Sequence, residues 1–132
     1  MGGAQYLDIW TFVHLLGGIA LAYAIRVAFD VDFVQSLIIV GIILIGWEVY
    51  EIITKVAEPF TNRMVDLVAG FAGIFIAYQI PLFASLVQSV LTALVFLIVW
   101  SGLNIVGWIS WKARYEQAEI QFLAQRVVDR KE

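Results

Sequence analysis

Four long apolar segments, separated by short polar turns, dominate the pattern of hydrophobic and polar positions along this chain. They span about residues 7–27, 33–56, 62–80 and 81–111, and the last begins at Pro81 or Leu82. Each is close to the ~20 residues that a helix needs to cross the hydrocarbon of a bilayer. The pattern therefore predicts an all-α fold, a four-transmembrane-helix bundle, since lipid excludes open strands. The short turns make neighbouring helices antiparallel.

The pattern changes after Trp111, where the chain turns polar. Apolar residues recur there on one helical face: Ile120, Leu123, Ala124, Val127 and Val128. This spacing predicts that residues 1–111 form the membrane domain and that 112–132 form an amphipathic C-terminal helix continuous with span four. Such a tail either lies on the membrane surface or packs on itself, or it docks on a partner or a second copy.

The composition agrees with residence in a membrane. Hydrophobic residues make up 62% of the chain and charged residues 14%, whereas soluble domains carry about 25% charged residues. The chain has no cysteine, which excludes disulfide and thiolate chemistry, and no basic patch indicates nucleic acid as a partner. We expect membrane lipids as partners, together with further copies of the chain or another membrane protein.

The distribution of Lys and Arg predicts the orientation. With four spans, both termini and the turn between spans two and three share one side of the membrane. Of the eight basic residues only Arg26 lies on the other side. The rest are Lys55, Arg63, Lys112, Arg114, Arg126, Arg130 and Lys131. The positive-inside rule then predicts a multi-pass protein of the cell (inner) membrane with both termini in the cytoplasm.

Polar side chains interrupt the apolar segments in the cytoplasmic half of every span. They are His14, Glu48, Glu51, Asn62, Asp66 and Asn104. At 1.5 Å per residue, His14, Glu48 and Asn104 lie about 10–12 Å from the cytoplasmic ends of their spans, and the others are shallower. An ionisable group in hydrocarbon is costly and marks a functional site by default. We predict a polar pocket that opens to the cytoplasm and is closed on the outer side.

Small residues share helix faces with these polar groups. The stripe in span one is Thr11, His14, Gly18, Ala22 and Arg26, and that in span three is Asn62, Asp66, Gly70, Gly73 and Ala77. Small residues let membrane helices approach closely. The polar groups are therefore expected to point into the bundle.

The pocket residues permit several chemistries. Glu48 and Glu51 are three residues apart on one helix face, so they cannot both stay ionised in low dielectric without a proton or a cation. The cation is protonated His14, Lys55, Arg63 or a divalent metal ion, for which His14, Glu48, Glu51 and Asp66 form a possible ligand set. The same groups suit a proton relay or general acid–base catalysis.

Each candidate also has a purely structural interpretation. His14, Asn104 and the two Glu side chains can serve only as hydrogen-bonded contacts between helices. Asp66 can cap its helix or pair with Arg63. Lys55, Glu58 and Arg63 fall in the predicted turn, which favours a solvated loop. The common depth of the polar groups is what favours a functional pocket.

Residues 8–75 resemble the VanZ-like families of small multi-span membrane proteins. The resemblance rests on three groups of residues: His14 with Gly17 and Gly18, Trp47 and Glu48 with Glu51, and Arg63 and Asp66 with Gly70 and Gly73. Such families place a His in the first span, a Glu in the second, and an Arg, an Asp and a Gly in the third. The resemblance implies a small helical membrane protein, with glycopeptide resistance attached to some family members.

Four functions remain open from the sequence. The first is a membrane protein whose pocket binds a cation or a polar lipid headgroup. The second is a membrane enzyme that acts on a lipid-linked substrate with the same residues. The third is an oligomeric ion or proton transporter, and the fourth is a structural subunit of a membrane complex.

Overall fold

The computed structural model describes residues 9–54 and 59–129, and it describes only the backbone at residues 114, 115, 118, 119 and 121–129. Within these ranges the chain is all-helical. The helices are α1 (Ile9–Phe29), α2 (Phe33–Ile53), α3 (Phe60–Gln79) and α4 (Leu86–Asp129). All four are long and apolar enough to cross a membrane, and the apolar part of α4 is Leu86–Ala113. The predicted fold class is confirmed, and the chain is a multi-pass membrane protein.

Contacts between the helix ends show that the helices alternate in direction. Arg26, near the end of α1, donates to the carbonyl of Ile80, just after α3, so α1 and α3 run in parallel. Tyr78, near the end of α3, bonds to Ser36 at the start of α2. Gly107, late in α4, packs against Trp10 at the start of α1. The bundle is therefore up-down-up-down, with α2 and α4 antiparallel to α1 and α3.

The closest helix contact joins α1 and α3 through glycines. A Cβ at Gly18 would lie 2.1 Å from the Gly70 carbonyl oxygen, and one at Gly73 would lie 2.2 Å from the Leu15 carbonyl oxygen. Both positions are thus closed to any side chain, and the two backbones touch. The small-residue stripes of spans one and three form this contact, which brings the polar residues of both stripes together.

Helix α1 occupies the middle of the bundle. Its backbone is close to the three other helices, whereas the backbones of α2 and α4 are not in contact with each other within the described residues. In the membrane-spanning part, 44% of α1 residues are buried but only 11% of α4 residues. Helix α4 therefore packs against α1 along one face and leaves most of its surface to lipid.

Helix boundaries differ from the sequence-based expectation at two places. Helix α4 begins at Leu86, not at Pro81 or Leu82, because residues 80–85 are held outside a helix: Tyr23 donates to the Pro81 carbonyl and Ser89 bonds the Phe83 backbone. Helix α3 begins at Phe60. Arg63 therefore lies inside α3 and is buried, so its assignment to a solvated loop was wrong. Lys55 and Glu58 lie outside the described residues.

A second polar cluster closes the end of the bundle opposite the predicted pocket. The Tyr78 hydroxyl lies 2.8 Å from the carbonyl oxygens of both Val31 and Asp32, and 2.7 Å from Ser36 Oγ. Because a phenol has one proton, that proton goes to the carbonyls and Ser36 donates to Tyr78. The Arg26 guanidinium lies 4.8 Å above the Tyr78 ring. We call Arg26, Ser36 and Tyr78 the far-end cluster.

Candidate functional site

Three of the predicted pocket residues meet around the imidazole of His14. His14 Nε2 lies 3.1 Å from Glu48 Oε1, and His14 Nδ1 lies 4.0 Å from Asp66 Oδ2. His14 follows the start of α1 by five residues, Glu48 precedes the end of α2 by five, and Asp66 follows the start of α3 by six. All three thus lie about 8–9 Å from the same end of the bundle. We call this group the imidazole cluster.

The hydrogen bond at the other ring nitrogen fixes where the His14 protons lie. His14 Nδ1 is 2.9 Å from the Trp10 carbonyl oxygen. A carbonyl oxygen only accepts, so Nδ1 carries a hydrogen. In a neutral imidazole the remaining nitrogen, Nε2, would then present a lone pair to the Glu48 carboxylate. The two groups attract each other only if one of them, His14 or Glu48, carries one further proton. The geometry therefore requires a proton on either His14 Nε2 or Glu48.

Asp66 is the most deeply buried acid of the cluster. It is 1% exposed, and its Oδ1 accepts a hydrogen bond of 2.7 Å from the Thr11 hydroxyl. Arg63 and Asn62 lie on the same helix and are also buried. Because Arg63 precedes Asp66 by three residues, it shares a helix face with that carboxylate. A positive charge is thus buried about one turn along α3 from Asp66.

Glu48 differs from Asp66 in how few donors it has. Its side chain is 7% exposed. Apart from the imidazole at ion-pair distance, no hydrogen-bond donor among the described residues reaches either carboxylate oxygen. A carboxylate can accept about four hydrogen bonds, and a buried acceptor without donors is costly. Glu48 is therefore held in the bundle with unused acceptor capacity.

The other predicted site residues lie apart from this contact. Glu51 is half-buried and accepts a 2.9 Å hydrogen bond from the Trp47 indole one turn earlier on α2. Asn104 donates to the carbonyl of Trp100 one turn earlier in α4. Asn62 is buried in the first turn of α3. The structure thus gathers His14, Glu48 and Asp66, and it leaves Glu51 outside the cluster.

Metal ligation has little support in this geometry. Within residues 9–54 and 59–129, no three His, Asp or Glu side chains are grouped so that they could hold a metal ion. Both imidazole nitrogens of His14 are engaged, Nδ1 by the Trp10 carbonyl and Nε2 by Glu48. A metal at Nε2 would have to displace that carboxylate contact. The same engagement leaves neither nitrogen open as a general base toward a substrate.

A cavity of about 130 Å³ borders His14. Helices α1, α2 and α4 form its walls, which are almost wholly apolar at their surface. The lining residues are Val13, His14, Gly17, Leu21, Ile43, Leu44, Trp47, Trp100 and Asn104. The imidazole therefore forms a boundary between a charged interior and an apolar space.

No protein family, curated protein or solved structure matches this chain. The resemblance to VanZ-like families therefore stays a prediction that rests on motif residues alone.

Sequence reasoning missed several participants in the site. Thr11 was placed on the correct face but was not named as a partner of Asp66. The Trp10 carbonyl carries no signal in the sequence, because every residue has one. Trp47 and Trp100 line the cavity, but Trp47 enters the sequence analysis only through the family resemblance, and Trp100 does not enter it. Only the helix register, once known, brings these two residues to the cavity.

Proposed function

We propose that this chain is a multi-pass membrane protein that binds one proton reversibly at the His14–Glu48 pair. The observation that carries this proposal is the 3.1 Å contact between two groups, one of which must hold a proton for the contact to persist. The bound cation is a proton because the described residues offer no metal grouping. The cluster is also too closely packed for a lipid headgroup, since His14, Glu48 and Asp66, counted as whole residues, are each 5% exposed or less.

The charges around His14 support the same assignment. Helix α2 contributes Glu48, helix α3 contributes Asp66 and Arg63, and the part of α4 at the cavity contributes only the neutral Asn104. With Asp66 negative and Arg63 positive, the group is electrically neutral when exactly one added proton sits on the His14–Glu48 pair. Without that proton it holds one net negative charge in a low-dielectric interior, which is costly. Neutrality therefore favours a bound proton.

We further propose that the proton comes from the cytoplasm. The imidazole cluster lies at the end of the bundle that holds the start of α1 and the end of α2. That end carries the Lys and Arg excess, which the positive-inside rule assigns to the cytoplasm. Single cysteines at Asp30 and at Lys112, in a chain with none of its own, would be modified by impermeant thiol reagents from opposite sides of the membrane.

The proposal is tested by following His14 directly. His14 is the single histidine of the chain, so ¹⁵N-histidine labelling reports on this residue without assignment. Solid-state NMR of the protein in bilayers should show Nδ1 carrying hydrogen at every pH, while Nε2 changes state as the pH varies. Glu48→Gln should move the midpoint of that change by about one pH unit or more, because it removes the facing carboxylate.

Glu51→Gln is the matched control, since Glu51 lies one turn away on α2 and contacts Trp47 instead. It should leave the His14 transition where it is in the wild type. A His14 signal that never changes with pH would refute the proposal. So would stoichiometric bound metal that disappears in Glu48→Gln, because it would make the cation a metal.

A further inference from the structure

The cavity beside His14 has the character of a binding site for hydrocarbon. Its walls expose almost no polar surface, and His14 and Asn104 are its only polar lining residues. An apolar cavity of about 150 Å³ inside a protein stays free of water and takes up a molecule the size of benzene. The present cavity, at about 130 Å³, therefore suits about six carbons of an alkyl chain.

The position of the cavity determines what can reach it. It lies along residues 13–21 of α1, between α2 and α4, and the backbones of these two outer helices are not in contact with each other within the described residues. Ile43 and Trp47, on the α2 side, are 46% and 43% exposed. The gap between the outer helices thus opens sideways, at a depth where all four helices cross hydrocarbon. The molecules present at that depth are the acyl chains of membrane lipids.

Two residues shape the wall against which the chain would lie. Gly17 has no side chain, and a Cβ there would lie 2.8 Å from the Trp100 indole nitrogen. The glycine thus lets the Trp100 ring pack directly on α1, where both residues line the cavity. Leu44 of α2 also lines the cavity, and its methyl groups pack on Gly70 of α3.

We propose that this cavity holds one acyl chain of a membrane lipid, inserted laterally between α2 and α4 and in contact with the buried face of α1. This binding site is separate from the proton site, although His14 borders both. Lipid in the cavity touches Val13 and Gly17 of α1, which ordinary lipid around the protein does not reach because both residues are buried.

Photocrosslinking distinguishes this bound chain from the surrounding lipid. The full chain is reconstituted in phosphatidylethanolamine–phosphatidylglycerol vesicles that contain a tracer phospholipid with a diazirine midway along one acyl chain. After illumination, peptide mapping should find label at Val13 or Gly17 of α1. Label should also appear at outward residues such as Ile98 of α4, which is 69% exposed.

A Trp at the mouth of the cavity provides the decisive variant. Ile43→Trp enlarges a residue that lines the opening, so the α1 label should be lost while the Ile98 label persists. Ile42→Trp, at a neighbouring lipid-facing residue that does not line the cavity, is the matched control and should keep both labels. The proposal is overturned if the wild type labels only outward residues, or if the two Trp variants reduce the α1 label equally.

Discussion

The two polar clusters at opposite ends of the bundle use the same three helices in different ways. In the far-end cluster, each donor has a nearby acceptor: Ser36 donates to Tyr78, Tyr78 to the carbonyls that begin α2, and Arg26 to the carbonyl of Ile80. In the imidazole cluster, the carboxylate oxygens of Glu48 have no hydrogen-bond donor among the described residues apart from the imidazole at 3.1 Å.

The difference separates a structural role from a functional one. A closed set of hydrogen bonds between helices holds the bundle together and has no need of a further ligand. A buried carboxylate with unused acceptor capacity is stable only with an added proton or donor. The comparison therefore indicates that the far-end cluster contributes stability, and it supports the proposal that the imidazole cluster gives up part of this stability for proton binding.

The largest effect is expected where both clusters depend on one contact. Gly18→Leu places a side chain where the Gly70 carbonyl now lies, so α1 and α3 must separate and both clusters lose their geometry. We expect little or no monodisperse protein on size exclusion in detergent. Gly46→Leu is the control, because a Cβ at Gly46 meets nothing within 4 Å, and it should behave like the wild type. Equal behaviour of the two variants would contradict the close α1–α3 contact.

An intermediate effect is expected from Tyr78→Phe, which opens the far-end cluster. The change leaves the fully buried Ser36 hydroxyl and the carbonyls at the start of α2 without their shared partner. The free energy of unfolding should fall by about 1–3 kcal/mol, measured by SDS titration of the reconstituted protein. Tyr50→Phe alters an outward tyrosine that is 57% exposed and should change the stability by much less. If Tyr78→Phe lowered the free energy of unfolding no more than Tyr50→Phe does, the far-end cluster would have no structural role.

The smallest effect on stability is expected from Glu48→Gln, although it acts on a buried ion pair. The new amide can donate to Nε2 of neutral His14, so the contact survives without the added proton. The free energy of unfolding should stay within about 1 kcal/mol of the wild type in the same titration. If Glu48→Gln lowered the free energy of unfolding more than Tyr78→Phe does, the imidazole cluster would be the main stabilising element. The contrast between the two clusters would then be reversed.

The fold and the depth of the pocket residues could be predicted because both follow from one-dimensional regularities. Span length and hydropathy identify helices that cross a bilayer, and helical spacing places His14 on the glycine face of α1 and Asp66 on that of α3. Those faces meet because glycine permits the backbones to touch.

The remaining features depend on contacts between distant parts of the chain. Helix α4 starts at Leu86, later than the sequence predicts, because side chains of α1 bind the backbone of residues 80 and 81. Glu51 shares a helix face with Glu48 in projection, yet Glu48 is the one that reaches the His14 imidazole, while Glu51 accepts from the Trp47 indole. The cavity arises from the absence of contact between α2 and α4 among the described residues, which no local pattern encodes.

The backbone contact between α1 and α3 also limits how the proton site can change shape. His14 and Asp66 belong to two helices whose backbones meet at Gly18 and Gly73, so these helices cannot slide past each other without breaking that contact. Glu48 belongs to α2, which packs on this pair through side chains. A helix movement that lengthens the 3.1 Å distance between His14 and Glu48 is therefore expected to be a displacement of α2, and it would accompany release of the proton that we propose.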